Sequence, residues 1–335
     1  MKFLLYFLKL VRKNIFSRAV IILVGVVVFL LFILEFSKYS SSVKKARYTK
    51  KRPDEDLEQY LIFVGGIPRS GTTLMRKMLE SHPDIRCGPE THVIPWLLKD
   101  HYEWTTSTKE FVRLVEAGVA PHALDNAMAK FILSIIVHHG PPAKYLCNKD
   151  PYSLQATTYL HGLFPNSKFI LMLRDGRASA HSVISKGITV GNWNIKSYRD
   201  VLMHWNDEIN NMYKECLTSG PKVCLPVHYE KLVLQPVATT KKIFNFLGIP
   251  WCKEVLHHED HANETKLSAY ELSTDQVKKP IYLEGLTKWF GKIPPDVERD
   301  MAFIAPMLKI LGYNPEERRP KYGEPDDFVL KKLNI

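Results

Sequence analysis

The stretch Gly65-Gly66-Ile67-Pro68-Arg69-Ser70-Gly71-Thr72-Thr73 gathers glycines, hydroxyls and a guanidinium into nine residues. It follows an apolar run, Leu61 to Val64, and precedes Leu74, Met75, Met78 and Leu79 at helical spacing, so the pattern predicts strand, loop and helix. A loop that ends on a helix N-terminus collects unpaired backbone N–H groups at the positive end of the helix dipole, which favours an anion. Arg69, Ser70, Thr72 and Thr73 add side-chain donors, and phosphate or sulfate is the natural occupant. A second apolar run, KFILML at 168–173, leads into Arg174-Asp175-Gly176-Arg177 in the same manner. Arg174 and Ser182, two helical turns apart, could grip a second phosphate with a guanidinium fork and a hydroxyl. The plainer alternative is an exposed Asp-Gly turn.

The spacing from Gly66 to Gly71 is that of a Walker A loop, yet the position of its lysine is taken by Thr72. That argues against a nucleoside triphosphatase and for an oxyanion on a different leaving group. No metal is expected: His138-His139 and His257-His258 are adjacent pairs, not the i, i+4 spacing of a helical metal site. The net charge of +11 and the pI near 9.2 favour an acidic or phosphorylated partner. Nucleic acid is disfavoured, because zinc-finger spacing, an aromatic RNP-like motif and a basic helix are all missing.

These residues need a scaffold of strands and helices. Helical spacing appears over 122–139, 153–164, 178–186, 198–218 and 236–247, and strand-like runs over 144–147, 168–173 and 223–228. This alternation predicts an α/β domain over residues 59–314, with a central parallel sheet, helices on both faces and sites at the carboxyl ends of the strands. Residues 315–335, rich in proline and charge, are expected over the surface or loose.

Residues 19–34 carry no charge and follow Lys9, Arg12, Lys13 and Arg18. With Phe36 they are expected to form a transmembrane signal anchor over 19–36, behind a cytoplasmic tail of residues 1–18. No A-x-A site follows, which disfavours a cleaved signal peptide. Residues 37–58 are polar and charged and read as a flexible stem. Basic residues flank the span on both sides, so charge alone does not orient it. The sequon at Asn263 and the five cysteines favour a catalytic domain in an oxidising lumen.

Taken together, PRSGTT after one apolar strand and LRDGRASAHS after another resemble the sulfotransferases that use 3′-phosphoadenosine 5′-phosphosulfate. CGPETHVIP (87–95), CNKDPYSL (147–154), VHYEKLVLQP (227–236), STDQV (273–277) and LTKWFGKIPPDV (286–297) are similar to tyrosylprotein sulfotransferases, Golgi type II membrane enzymes that sulfate tyrosines of secreted and membrane proteins. The resemblance spans about residues 59–314. It implies a sulfotransferase-type domain and a homodimer, with tyrosines in acidic segments as acceptors. It implies Glu90 as general base, with Arg69, Lys149 and Ser273 stabilising the transferring group. Arg69, Ser70, Gly71, Thr72 and Thr73 would hold the 5′-phosphosulfate, and Arg174, Ser182 and Lys186 the 3′-phosphate. Tyr229, Ser273 and Lys288 would contact the nucleotide. The stretch His92, Val93, Ile94, Pro95 and Trp96 would meet the acceptor peptide. The chemistry agrees, since a phenol of pKa about 10 must lose its proton to attack. A carbohydrate sulfotransferase of the Golgi, or an anion-binding membrane protein without activity, are the competing readings.

Cys87 stands three residues before Glu90 and Cys147 two before Lys149, so a disulfide between them would draw base and lysine together. Cys216 and Cys224, across a Gly-Pro turn, form the second expected pair, with Cys252 left over. His92 and Trp96 stand where vertebrate-type relatives carry arginines, and Lys186 where the family often has arginine.

Overall fold

The structure is a computed structural model that describes residues 57–260, 281 and 283–334, together with Val27 and Leu30. The expected tail at 1–18, the span at 19–36 apart from Val27 and Leu30, nearly all of the stem, Asn263 and Ser273 lie outside the described residues. Among the described residues no helix is long and apolar enough to cross a membrane.

Among the described residues five strands, β1 Leu61–Gly66, β2 Ile85–Arg86, β3 Tyr145–Lys149, β4 Lys168–Leu173 and β5 Cys224–His228, form one parallel sheet in the order β2-β3-β1-β4-β5. β1 and β4 are unbroken apolar runs because both of their faces are covered. Leu61 and Phe63 point to one face with Phe169, Leu171 and Leu173, whereas Ile62 and Val64 point to the other with Ile170 and Met172. Phe63 stacks on Phe169 at 5.1 Å between ring centroids. Pro226 is tolerated in β5 because that strand lies at the sheet edge.

Among the described residues, the helices up to residue 247 are α1 Thr72–Glu80, α2 Val93–Thr106, α3 Thr108–Glu116, α4 His122–His138, α5 Thr157–Leu163, α6 Gly176–Ser185, α7 Tyr198–Ser219, α8 Tyr229–Leu234 and α9 Pro236–Leu247. α4, α6 and α7 bury their apolar stripes against the Phe63 face, and α1, α8 and α9 against the Ile62 face. α7 shows why the sequence folds this way. Val201, Leu202, Trp205, Ile209, Met212 and Cys216 recur on one side and are buried, the Ser197 hydroxyl caps its start, and Gly220 follows its end. Gly176 lets α6 approach α7, since a Cβ there would come within 2.6 Å of the Trp205 ring.

Two differences from the sequence pattern matter. The run 153–164 is a 3-10 turn, Pro151–Ala156, followed by α5, because Pro151 starts the turn where the chain leaves β3. The amphipathic helices α2 and α3 were not apparent in the pattern; α3 buries none of its side chains. The residues after 314 pack back onto the domain: Tyr322 donates to Asp175 at 2.8 Å, the Asp326 N–H to the Leu234 carbonyl at 2.8 Å, and Lys332 to the Leu256 carbonyl at 2.8 Å.

Candidate active site

β1 delivers the chain to the loop and α1 carries it away. The Ser70 N–H closes the turn on the Ile67 carbonyl at 3.0 Å, and Gly71 takes the left-handed φ of 98° from which α1 begins. α1 has neither a side-chain cap nor an acidic residue in its first turn, so its leading N–H groups and dipole are left to face an anion. The Ser70 hydroxyl is buried and makes no hydrogen bond among the described residues. A Cβ at Gly71 would come within 2.5 Å of the Tyr229 ring, so glycine is what lets that aromatic lie against the loop.

The two basic turns are physically joined. Arg69, itself left-handed at φ 74°, donates from Nε to the Ser182 hydroxyl at 3.0 Å. Arg174 donates from Nη1 to the Arg69 carbonyl at 2.7 Å and from Nη2 to the Gly285 carbonyl at 2.6 Å, and its guanidinium lies 4.5 Å from the Tyr229 ring centre. Arg174 therefore clamps the loop backbone, while its Nε is buried without a hydrogen bond among the described residues.

The second cluster forms at the end of β3. Register pairs Val64 with Lys149, which sets that lysine beside the last turn of β1. The Lys149 ammonium contacts Glu90 Oε1 and reaches the Thr73 hydroxyl at 3.5 Å, and His92 Nε2 lies 3.4 Å from Glu90 Oε2. The lysine side chain is fully buried and Glu90 is 16% exposed, so the ion pair is shielded but open to one side. β2 pairs Arg86 with Leu146, and one residue further Cys87 and Cys147 form a disulfide with a Cα separation of 4.1 Å. Cys216 and Cys224 form the second disulfide, joining the end of α7 to the start of β5. Cys252 is not disulfide-bonded.

Of the stretch 92–96, Ile94 is fully buried in the core and cannot present its side chain to a peptide, because α2 turns it inward. Trp96 is 64% exposed and Val93 37%, while Pro95 is half-buried at the start of the helix. Lys186 stands exposed at the C-terminus of α6, and Lys288 is exposed and pairs with Glu284 at 2.7 Å. Among the described residues no group of three or more His, Cys, Asp or Glu is arranged to hold a metal ion.

Several supporting residues escaped the sequence reading. Glu80 accepts the Gly88 N–H at 2.6 Å and pairs with Arg76 and Lys77. Asp150 accepts the backbone of the Glu90 turn. Under the Arg174 turn, Asp175 receives Arg177 Nη2 and the Tyr322 hydroxyl at 2.8 Å each, while Glu230 receives the Asp175 N–H at 2.9 Å and the Tyr313 hydroxyl at 2.8 Å. Burial, aided by the Asp175 charge, pushes the Glu230 carboxyl up to about 7 against the pull of those donors. Asp175-Gly176 stood in the sequence as part of a second anion turn or an exposed Asp-Gly turn, and Asp150 only as one residue of the stretch CNKDPYSL.

The fold is shared with solved sulfotransferase domains. The sulfotransferase domain of a Synechococcus olefin synthase superimposes with a TM-score of 0.50 at 22% identity, covering 74% of this chain and 93% of that one. The sulfotransferase domain of the curacin biosynthetic pathway gives 0.52 at 20%, covering 76% and 98%. These likenesses concern the fold. The sulfotransferase family model matches residues 62–253. Protein-tyrosine sulfotransferase 1 of Danio rerio is 56% identical over 273 residues, 81% of this chain and 77% of that protein. Protein-tyrosine sulfotransferase 2 of Gallus gallus is 52% identical over 291 residues, 86% and 76%, and protein-tyrosine sulfotransferase 1 of Homo sapiens 56% over 274 residues, 81% and 74%. The chain belongs to the protein-tyrosine sulfotransferase family.

Proposed function

We infer that this protein transfers a sulfuryl group from 3′-phosphoadenosine 5′-phosphosulfate to tyrosine residues of other proteins. The observation that carries the reading is the Glu90–Lys149 pair beside Thr73, a carboxylate and a buried cation set at the mouth of the anion loop. The loop fits an oxyanion: the Ser70 hydroxyl is buried without a partner among the described residues, no side chain caps α1, and Gly71 leaves the space that a side chain would fill. When bound, the donor supplies an activated sulfuryl group on a bisphosphate leaving group.

The chain's own residues then divide the work. Glu90 accepts the phenolic proton of the acceptor tyrosine, and Lys149 holds the carboxylate ready and remains as a fixed cation beside the developing charge. Ser70, Gly71, Thr72, Thr73 and the α1 N–H groups hold the 5′ end, with Arg69 at its edge. Arg174, Ser182 and Lys186 serve the 3′-phosphate, and Tyr229, Ser273 and Lys288 line the nucleotide. His92, Val93 and Trp96 face the acceptor, whose acidic flanks suit the net charge of +11. We further propose a homodimer anchored in the Golgi membrane by residues 19–36, type II, with the catalytic domain lumenal, and glycosylation at Asn263. The two disulfides support an oxidising compartment.

The test is an assay of the full chain with labelled donor against acidic tyrosine peptides and against glycans. Label on tyrosine is expected. Label on glycans alone would replace this reading with a carbohydrate sulfotransferase, and no transfer with no binding of adenosine 3′,5′-bisphosphate would replace it with a non-enzymatic one.

A further inference from the structure

A general base works only while it is held in place, and Glu90 sits on an irregular turn between a two-residue edge strand and α2. Asp150, the residue after Lys149, is fully buried. Its Oδ1 accepts two consecutive backbone N–H groups, from Thr91 at 3.1 Å and His92 at 3.0 Å, and its Oδ2 accepts the Thr91 hydroxyl at 3.1 Å and the Asn148 amide at 3.1 Å. The two residues after Glu90 are thereby fixed to the end of β3. His92 is left-handed, with φ 58°, a conformation that costs a non-glycine residue and persists only where its surroundings over-determine it. Here that conformation coincides with successive N–H groups converging on a single carboxylate oxygen.

Lys149 and Asp150 thus hold the glutamate from two directions: the lysine meets its carboxylate, and the aspartate accepts the backbone N–H groups of the two residues that follow it. We propose that Asp150 is a positioning residue of the transfer reaction, fixing the Glu90 turn so that the base stays against Lys149 at the anion loop. The proposal rests on Glu90 being the base. Asp150 has no part in the proton transfer itself and acts through the turn.

The test compares Asp150→Ala, Asp150→Asn, Glu90→Gln and the double variant Asp150→Ala/Glu90→Gln in the full chain. Asp150→Ala is expected to lower kcat roughly 10- to 100-fold, while KM for the peptide and Kd for adenosine 3′,5′-bisphosphate stay within about twofold. Asp150→Asn keeps an oxygen for both N–H groups and should recover most of the loss. Once Glu90 is gone, adding Asp150→Ala should cost less than about threefold, because both changes remove the same proton transfer. Full turnover in Asp150→Ala, a multiplicative loss in the double variant, or an Asn variant no better than the alanine would overturn the proposal. Should Asp150→Ala fail to fold, Thr91→Val removes one of the four bonds at constant shape, with a severalfold fall in kcat expected and an unchanged kcat overturning it. Wild-type turnover in Glu90→Gln would instead sink the assignment of the base.

Discussion

Replacing Cys87 and Cys147 together with alanine, and in a separate chain Cys216 and Cys224, tests how this site is assembled. The first bridge closes a sequence separation of 60 and the second one of 8. In the chain-entropy description, constraint of the unfolded chain grows with the logarithm of loop length, giving about 4 kcal/mol for the longer loop and about 2 to 3 kcal/mol for the shorter. All four cysteines are at most 2% exposed, so the packing lost on substitution is similar and largely cancels in the comparison. Urea unfolding followed by far-UV dichroism should therefore show the 87–147 variant as the less stable, by roughly 1 to 2 kcal/mol. Turnover under conditions where both variants remain folded adds a second readout. Loss of the 87–147 bridge should depress kcat more, because that bridge ties the Glu90 turn to the strand bearing Lys149, whereas the other lies at the far end of β5. Equal stability, or a larger loss of activity on removing 216–224, would refute the view that the first bridge holds the site together.

Glu90→Gln should reduce kcat by about 10²- to 10⁴-fold while adenosine 3′,5′-bisphosphate binding stays as in the parent, measured by single-turnover transfer and calorimetry. Gly71→Ala should weaken bisphosphate binding at least tenfold, since its Cβ would meet Tyr229 within 2.5 Å at a φ of 98°; overpacking of this kind costs about 1 to 3 kcal/mol, and unaltered affinity would count against the loop geometry. Glu230 titrates near 7 in the folded chain against an ordinary 4.5, so between those values the folded chain keeps a proton that the unfolded chain releases. Its stabilising effect is full below about pH 4.5 and fades as pH rises through 7, a change of up to about 3 kcal/mol, and Glu230→Gln should flatten that slope in urea midpoints taken from pH 4 to 8.

The sheet was readable because β1 and β4 are continuous apolar runs ended by glycine or by charge, and the strand-loop-helix order over 61–79 because Gly65, Gly66 and Pro68 stop one run before the helical spacing of Leu74, Met75, Met78 and Leu79 begins. The residues that hold the chemistry in place were not. Asp150 and Glu80 act on the backbone of a turn some sixty and eight residues away in sequence, and nothing in their neighbours announces such a bond. Arg174 was legible as a cation, but not as a clamp on the Arg69 carbonyl, because that role arises only when β1 and β4 lie side by side. Ile94 belongs to a stretch that looked peptide-facing, and the start of α2 turned it into the core instead.

The bonds from Tyr313 and Tyr322 to Glu230 and Asp175 have a consequence for biosynthesis. A ribosome makes the anion loop early and residues 313–332 more than two hundred residues later, yet the buried carboxylates under the Arg174 turn find these hydroxyl partners only then. A nascent chain can close its sheet while these two carboxylates still lack their hydroxyl partners, Asp175 being paired, among the described residues, with Arg177 alone. An arrested or clipped chain would expose that half-built pocket to the chaperones that survey new proteins.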